Sequence, residues 1–450
     1  MTLNLLDSDF QKGVSKWHHE QSAGFMMAVD ELQKQYNDGT LEVVSLQSYN
    51  LRYQHECPIW YEVVSYAIKS GKPVVNECKF FSSHYVGRFN HKGFSIAINP
   101  RFGNVFGYLV GYATNLYLPT GHSELAFNTS NNSYWLIALL WKAMLNKALT
   151  TGHIPKEYKT IKKNQKHYRG HLCVNKHIHA NLCKATRFYC EYKVLSMDNL
   201  INRTIRTIYQ ILKRKGATSI IGEFEAYDKY LESMGVESII QDVKEIENVR
   251  YTRLNEPYRP VMNLSKTILS NYKAEATYGS GVNSNICFFI DIAELWEMYL
   301  LKLLQNRLPS EYYVYSPNSN SGAYLINGNM REIRPDIIIE KNGQVMMIVD
   351  AKYKNYTDFG RTSEKGIHRE DLYQMSTYLY YYGKQDKKIV GIITSPVEYN
   401  QKGTYGYSHN GLHRIGLINL NIEKANDNVD IIHEIENEYI NNILAILKSI

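Results

Sequence analysis

Residues 333–354 read I-R-P-D-I-I-I-E-K-N-G-Q-V-M-M-I-V-D-A-K-Y-K, and no other stretch constrains the fold as tightly. Two apolar runs, Ile337–Glu340 and Val345–Val349, flank Lys341-Asn342-Gly343-Gln344. Asn-Gly between apolar runs signals a β-hairpin, because the favoured tight turn needs positive φ at both central residues. The strands are apolar at successive positions, which predicts a sheet covered on both faces. At the mouth of the hairpin stand Asp336, Asp350 and Lys352. Asp350 and Lys352 share a face, since strand side chains repeat every two residues. Charges at the end of a buried strand are costly unless paired or bound to metal.

This constellation suits metal-dependent phosphodiester cleavage. Two carboxylates hold a hard Mg²⁺ ion that keeps waters and bridges to phosphate. The metal lowers the pKa of its bound water, and Lys352 is placed to stabilise charge on the same phosphate. The competing reading is a solvated strand edge. Register separates the two. A regular two-residue turn pairs Lys341 with Gln344 and therefore Asp336 with Val349, which turns Asp336 away from Asp350 and Lys352. A shared site needs Asp336 opposite Asp350. Either a three-residue loop with Gly343 left-handed or a β-bulge supplies that shift.

Two helices bracket the hairpin. Phe288 to Asn306 shows helical spacing, with Ile292, Leu295, Trp296, Tyr299, Leu300 and Leu303 on its buried face. Glu297 falls at the margin of that face, either as a third metal-linked carboxylate or as an ordinary boundary glutamate; Glu294 reads as pointing further out. Glu370 to Tyr382 carries Gln374 and Tyr378 at i, i+4 on one face. Gln374 there is either a group that orients a water or phosphate oxygen, or a core residue.

The wider composition excludes several classes. A 44% hydrophobic and 21% charged chain of 450 residues is globular. No basic, apolar, small-residue segment opens the sequence, and the most apolar runs are broken by Lys142 or by Asp291, Glu294 and Glu297. The expectation is a cytoplasmic protein with no membrane span. Cys57, Cys78, Cys173, Cys183, Cys190 and Cys287 show neither zinc nor iron–sulfur spacing. There is no P-loop, and Gly279-Ser280-Gly281 reads as a flexible connection.

Net charge is +7, and its excess is local. From Lys156 to Lys193 eight Lys and two Arg face two Glu, 10 − 2 = +8. His167, His171, His177 and His179 interleave there with Tyr168, Phe188 and Tyr189. Basic residues mixed with aromatics suit a nucleic-acid backbone, a solvated face or an acidic partner.

Along the chain, residues 1–132 read as a mixed α/β or β-rich domain for partner docking or target recognition. It has a helix over Phe10–Gln35 and strands near Glu42–Val44 and Phe94–Ile98, and ends in the polar linker Asn128–Ser133. Residues 133–275 read as a mainly helical region that carries the basic segment, with Asp198 or Ser196 capping a helix over Asn199–Lys215. Residues 276–450 hold the hairpin, a polar loop over Thr357–Ile367, strands over Ile389–Thr394 and Ile415–Ile422, and a last helix over Ile431–Leu447. The fold class is α/β (α+β).

R-P-D-I-I-I, V-D-A-K-Y-K and H-R-E-D-L-Y-Q-M-x-x-Y, with His368, Gln374 and Tyr378, together resemble the McrC family. Its members are nuclease subunits of McrBC-type modification-dependent restriction systems. The resemblance extends to R-G-H-L at Arg169 and to the run Leu195–Arg203, and covers Tyr134 to the end. Ile98-Asn99-Pro100-Arg101 is similar to the β-rich N-terminal domain of longer members. The resemblance implies a PD-(D/E)xK endonuclease domain, a mixed sheet flanked by helices that uses Mg²⁺. It implies metal binding by Asp336, Asp350 and Glu297, and catalytic roles for these with Lys352 and Gln374. It further implies modified double-stranded DNA as substrate, an antiviral defence role, and an McrB-like AAA+ GTPase hexamer whose hydrolysis the subunit stimulates. Two alternatives remain open: a stand-alone exonuclease or repair nuclease of the same fold, and a non-catalytic activator of an AAA+ ring.

Overall fold

A computed structural model of the chain describes residues 2–7, 19–41, 43–44, 57–69, 72–103, 105–114, 133–182, 186–239, 242–278, 288–317, 324–326, 330–354, 363–364, 367–383, 388–397, 403–407, 413–425 and 428–450. The expected start of the first helix, the Asn128–Asn132 linker, Gly279-Ser280-Gly281 and most of the Thr357–Ile367 loop lie outside them. Among the described residues no helix is long and apolar enough to cross a membrane. Contacts group the chain into two units, Met1–Asn132 with Cys287–Ile450, and Ser133–Ile286. The boundary near 132 recurs, but the first and last of the three expected segments form one unit.

The join has a local cause. Phe288–Asp291 is a strand, not the first turn of the helix that periodicity predicts. It pairs antiparallel with Tyr85–Arg88 and parallel with Val43–Val44, so N-terminal strands clasp it on both sides. The sheet order is Thr2–Leu6, Phe94–Asn99, Tyr85–His91, Phe288–Asp291, Val43–Val44. On this sheet lies the helix His19–Asn37, which buries Phe25, Ala28, Val29 and Leu32 at the i, i+3, i+4, i+7 spacing of one helical face. Two eleven-residue strands, Ile59–Lys69 and Lys72–Ser82, form a separate hairpin. Towards its turn Tyr66 is 65% and Ile68 81% exposed.

The second sheet of this unit holds the motif. Its order is Tyr312–Tyr315, Ile337–Lys341, Gln344–Ala351, Val390–Thr394, Arg414–Leu417, Gly403–Tyr407. Gln344–Ala351, Val390–Thr394 and Arg414–Leu417 run parallel and the outer pairs antiparallel, giving a mixed sheet. The helices Ile292–Arg307 and Arg369–Tyr382 both pack against its centre. Ile337–Ile339 and Met347–Asp350 are buried, as continuous apolar runs require.

The second unit packs the helices Ser133–Thr151, Leu200–Arg214 and Arg259–Tyr278. Leu200–Arg214 buries Ile201, Ile205, Ile208, Tyr209 and Leu212. Its N-cap is Asn199, which accepts the Asn202 N–H at 3.0 Å. Asp198 instead takes the side chains of Arg203 and Lys159, which leaves the capping role to the next residue. The basic segment is not helical throughout. Glu157–Gln165, Phe188–Ser196 and His171–Leu172 make an antiparallel three-stranded sheet, with the helix Val174–Asn181 beside it.

Candidate active site

The hairpin solves the register problem with a bulge. Lys341 pairs with Gln344 across a two-residue turn, Asn342 at φ 52° and Gly343 at φ 72°. Glu340 pairs with Val345, but Ile339 pairs with Met347, so Met346 is the extra residue. Beyond it Ile338 faces Ile348 and Ile337 faces Val349. One further step along the ladder sets Asp336 against Asp350. The tight turn and the shifted register therefore coexist, because the correction is made within the strand.

Asp336 Oδ2 accepts the Ala351 N–H at 2.7 Å, which ties the first carboxylate to the facing strand. Asp350 is fully buried. Its Oδ2 lies 3.0 Å from Lys352 Nζ as an ion pair, yet neither carboxylate oxygen has a hydrogen bond of good geometry. Burial and then the Asp350 charge push the Asp336 carboxyl up to about 7. Burial, followed by Asp336, Asp291 and Glu294, raises Glu297 well above the usual carboxylate range. Burial works to lower the Lys352 ammonium, but Asp350, Asp336 and Asp371 outweigh it, so the lysine is held charged.

Lys352 is positioned from three sides. Its backbone N–H donates to Thr394 O at 2.9 Å on the neighbouring parallel strand. Its Nζ donates to Gln374 Oε1 at 2.9 Å. Gln374 Nε2 in turn donates to the Tyr378 hydroxyl at 2.6 Å, and that hydroxyl donates to Arg334 O at 3.0 Å. The i, i+4 pair on the helix thus links the lysine back to the backbone two residues before Asp336.

Among the described residues no group of three or more His, Cys, Asp or Glu side chains is close enough to hold a metal ion. Asp336 and Asp350 are brought together, and the Asp336 charge helps raise Glu297. The donors fit a hard divalent cation all the same. The Asp350 charge adds to burial in raising the proton affinity of Asp336, and a fully buried carboxylate is costly unless its charge is offset. A cation between them relieves both.

Sequence reasoning misplaced Glu294, which is buried, not outward. Asp291 accepts the Ala293 and Glu294 N–H groups at 2.9 and 3.2 Å, and this cap sets where the helix starts. It also missed a group behind the site. Tyr353, next to Lys352, points to the other face of the strand. Arg101 Nε donates to its hydroxyl at 3.3 Å, and Asp7 Oδ1 accepts the Arg101 backbone N–H. Arg101 was visible only through I-N-P-R; nothing in the sequence linked it to residue 353. Lys354 Nζ, 3.0 Å from Asp371 Oδ1, ties the strand exit to the helix Arg369–Tyr382 and was likewise unmarked.

Fold and site define the class: a mixed α/β protein with two carboxylates and a charged lysine at the mouth of a bulged central hairpin. The family model of the McrBC 5-methylcytosine restriction system component matches residues 82–392, and the chain belongs to that family. The match begins upstream of the Tyr134 limit expected from motifs. No curated protein matches the chain. Its fold is similar to the refined half-complex of Thermococcus gammatolerans McrB AAA+ hexamers with bound McrC, at TM-score 0.55 and 18% identity, over 98% of this chain and 100% of that one. The cryo-EM structure of the Thermococcus gammatolerans McrBC complex aligns at TM-score 0.37 and 19% identity, over 69% of this chain and 88% of that one.

Proposed function

We propose that this chain is the Mg²⁺-dependent DNA endonuclease subunit of a two-component restriction system. One observation carries the reading: the bulge at Met346 brings Asp336 into register with Asp350, on the face that Lys352 shares. Asp336 and Asp350 hold the metal, with Glu297 the third carboxylate. When bound, Mg²⁺ supplies an acidified water and neutralises phosphate charge. Lys352, fixed by Gln374, holds its proton and faces the scissile phosphate. The family and the fold support an McrB-like AAA+ GTPase hexamer as partner, whose hydrolysis the subunit stimulates, and modified double-stranded DNA as substrate.

The test mixes the purified chain with its AAA+ partner, GTP, Mg²⁺ and methylated duplex DNA. Asp350→Asn and Lys352→Ala are each expected to lower cleavage by two or more orders of magnitude while the assembled particle survives gel filtration. Wild-type cutting by either variant removes the site. A wild-type chain that stimulates GTP hydrolysis but never cuts supports a non-catalytic activator instead.

A further inference from the structure

The second unit carries a basic feature that the cleavage site does not use. Arg169, Gly170 and His171 form a turn pressed onto the strand Phe188–Ser196. Gly170 sits at φ +72°, and a Cβ there would lie 2.4 Å from Glu191 O and 2.6 Å from Tyr192 Cβ. Only glycine allows so close an approach. The approach sets the Arg169 guanidinium 4.6 Å from the Tyr192 ring centroid, and His171 pairs with Glu191 in the sheet. Thr160 is opposite Lys193, so their side chains share a face. Together with Glu191 these residues line an open cavity of about 550 Å³.

Its electrostatics are one-sided. Glu191 is the single acid among the lining residues, and Lys162, which is not one of them, lies 3.0 Å from it. Arg169 and Lys193 therefore leave the cavity cationic, with the Thr160 hydroxyl as a neutral donor. Lys163, Lys166, Lys176 and Arg187 are exposed around it, and Tyr168 presents a 60% exposed ring. The nine-residue strand Glu157–Gln165 extends about 30 Å, roughly the rise of nine base pairs. A lone anion needs one cationic pocket; a long cationic strip matches a polyanion with regularly spaced phosphates.

We propose that Arg169 and Lys193, with His171 and Thr160 beside them, seat two neighbouring backbone phosphates of double-stranded DNA, and that the sheet around them is a DNA-tracking surface built from residues the cleavage site does not use. The choice of DNA over another polyanion rests on the reading of the chain as a nuclease subunit. Arg169 supplies a fixed guanidinium fork, stacked so that little freedom is lost on contact, and Lys193 a point charge.

The test is the salt dependence of equilibrium binding of the full chain to a fluorescent DNA duplex longer than the sheet, without Mg²⁺. Lys193→Gln should reduce the log–log slope by about 0.9 and the Arg169→Gln, Lys193→Gln double variant by about 1.8. Lys229→Gln, whose lysine is paired with Glu225 at 2.9 Å in the same unit, should leave the slope unchanged. If the double variant melts early, exposed Lys193→Gln alone decides. An unchanged slope in a natively melting variant overturns the seat, and binding of an acidic protein in place of DNA does the same. Asp350→Asn separates the two readings. If neither that variant nor the wild-type chain with its AAA+ partner cuts DNA, the nuclease assignment fails, while a lowered slope in the Lys193 variant still establishes the phosphate seat.

Discussion

Arg101 lies over the ring of Tyr353, its guanidinium carbon 4.2 Å from the centroid. Tyr353 follows Lys352, so a residue from the N-terminal part of the chain braces the strand that bears the lysine. Phe102 meets the same ring edge-on at 5.9 Å, and Asp7, buried, accepts from the Arg101 backbone. Arg101→Ala leaves the Asp7 carboxyl without its nearest charge partner. It should destabilise the protein by about 3 kcal/mol in urea unfolding and lower cleavage about 10- to 100-fold as Lys352 loses its fixed position. Arg101→Lys should recover less than half of the stability, because an ammonium cannot both stack and donate sideways.

The bulge predicts a deletion phenotype. Removing Met346 takes out the extra residue and leaves a regular hairpin in which Ile339 still faces Met347 and Asp336 still faces Asp350. Both strands stay apolar, so folding should persist, with a loss of about 1–3 kcal/mol from repacking. Cleavage should persist, because Asp336 stays opposite Asp350. Circular dichroism and a cleavage assay on the same sample check the two halves.

The Asp336 carboxyl, pushed up to about 7, gives a pH signature. Its folded pKa exceeds the unfolded value, so the folded state binds the proton more tightly. The stability from this group is complete below the ordinary carboxylate pKa and is lost as pH rises through about 7. Without Mg²⁺, thermal midpoints should fall between about pH 5 and pH 8 more steeply than in Asp336→Asn. Mg²⁺ affinity should rise over the same window and then level, since the ligand must lose its proton to bind. Melting curves with and without Mg²⁺ show both trends.

Partner docking is best tested at the long hairpin. A chain cut at Tyr134 is a poor probe, because Phe288–Asp291 would lose the strands on both its sides. Tyr66→Ser with Ile68→Ser leaves those strands intact and removes exposed apolar surface. If the hairpin docks on the AAA+ ring, the double variant should reduce stimulated GTP hydrolysis at least tenfold, with the melting temperature unchanged. Undiminished stimulation places the docking surface elsewhere.

The part of the fold that holds the candidate site was legible because its signals are local. Asn342-Gly343 marks the turn, the Ile and Val runs mark the buried strands, and Gln374 and Tyr378 share one helical face. Requiring Asp336 and Asp350 on one side left a three-residue loop or a bulge, and the chain uses the bulge. What stayed hidden depends on contacts distant in sequence. Phe288–Asp291 precedes a helix and reads as part of it; only its pairing with Tyr85–Arg88, some two hundred residues earlier, makes it a strand. The burial of Glu294 follows from that displaced helix start. The basic segment has too few apolar residues for any period, so its sheet was invisible, although Gly170 in R-G-H-L marked the place where a turn presses against it.

The interleaving of Met1–Asn132 with Cys287–Ile450 imposes an order on birth. As the chain leaves the ribosome, Tyr85–His91 and Val43–Val44 emerge with no Phe288–Asp291 between them. At about 5–20 residues per second, roughly 10–40 s pass before that strand is made. The whole Ser133–Ile286 unit is available to fold during the wait. The hairpin bearing Asp336, Asp350 and Lys352 is translated only after the missing strand, and the Arg101 brace closes behind it. A truncated or stalled chain therefore carries no assembled candidate site, and a cell that makes this protein meets that site only once the clasp is complete.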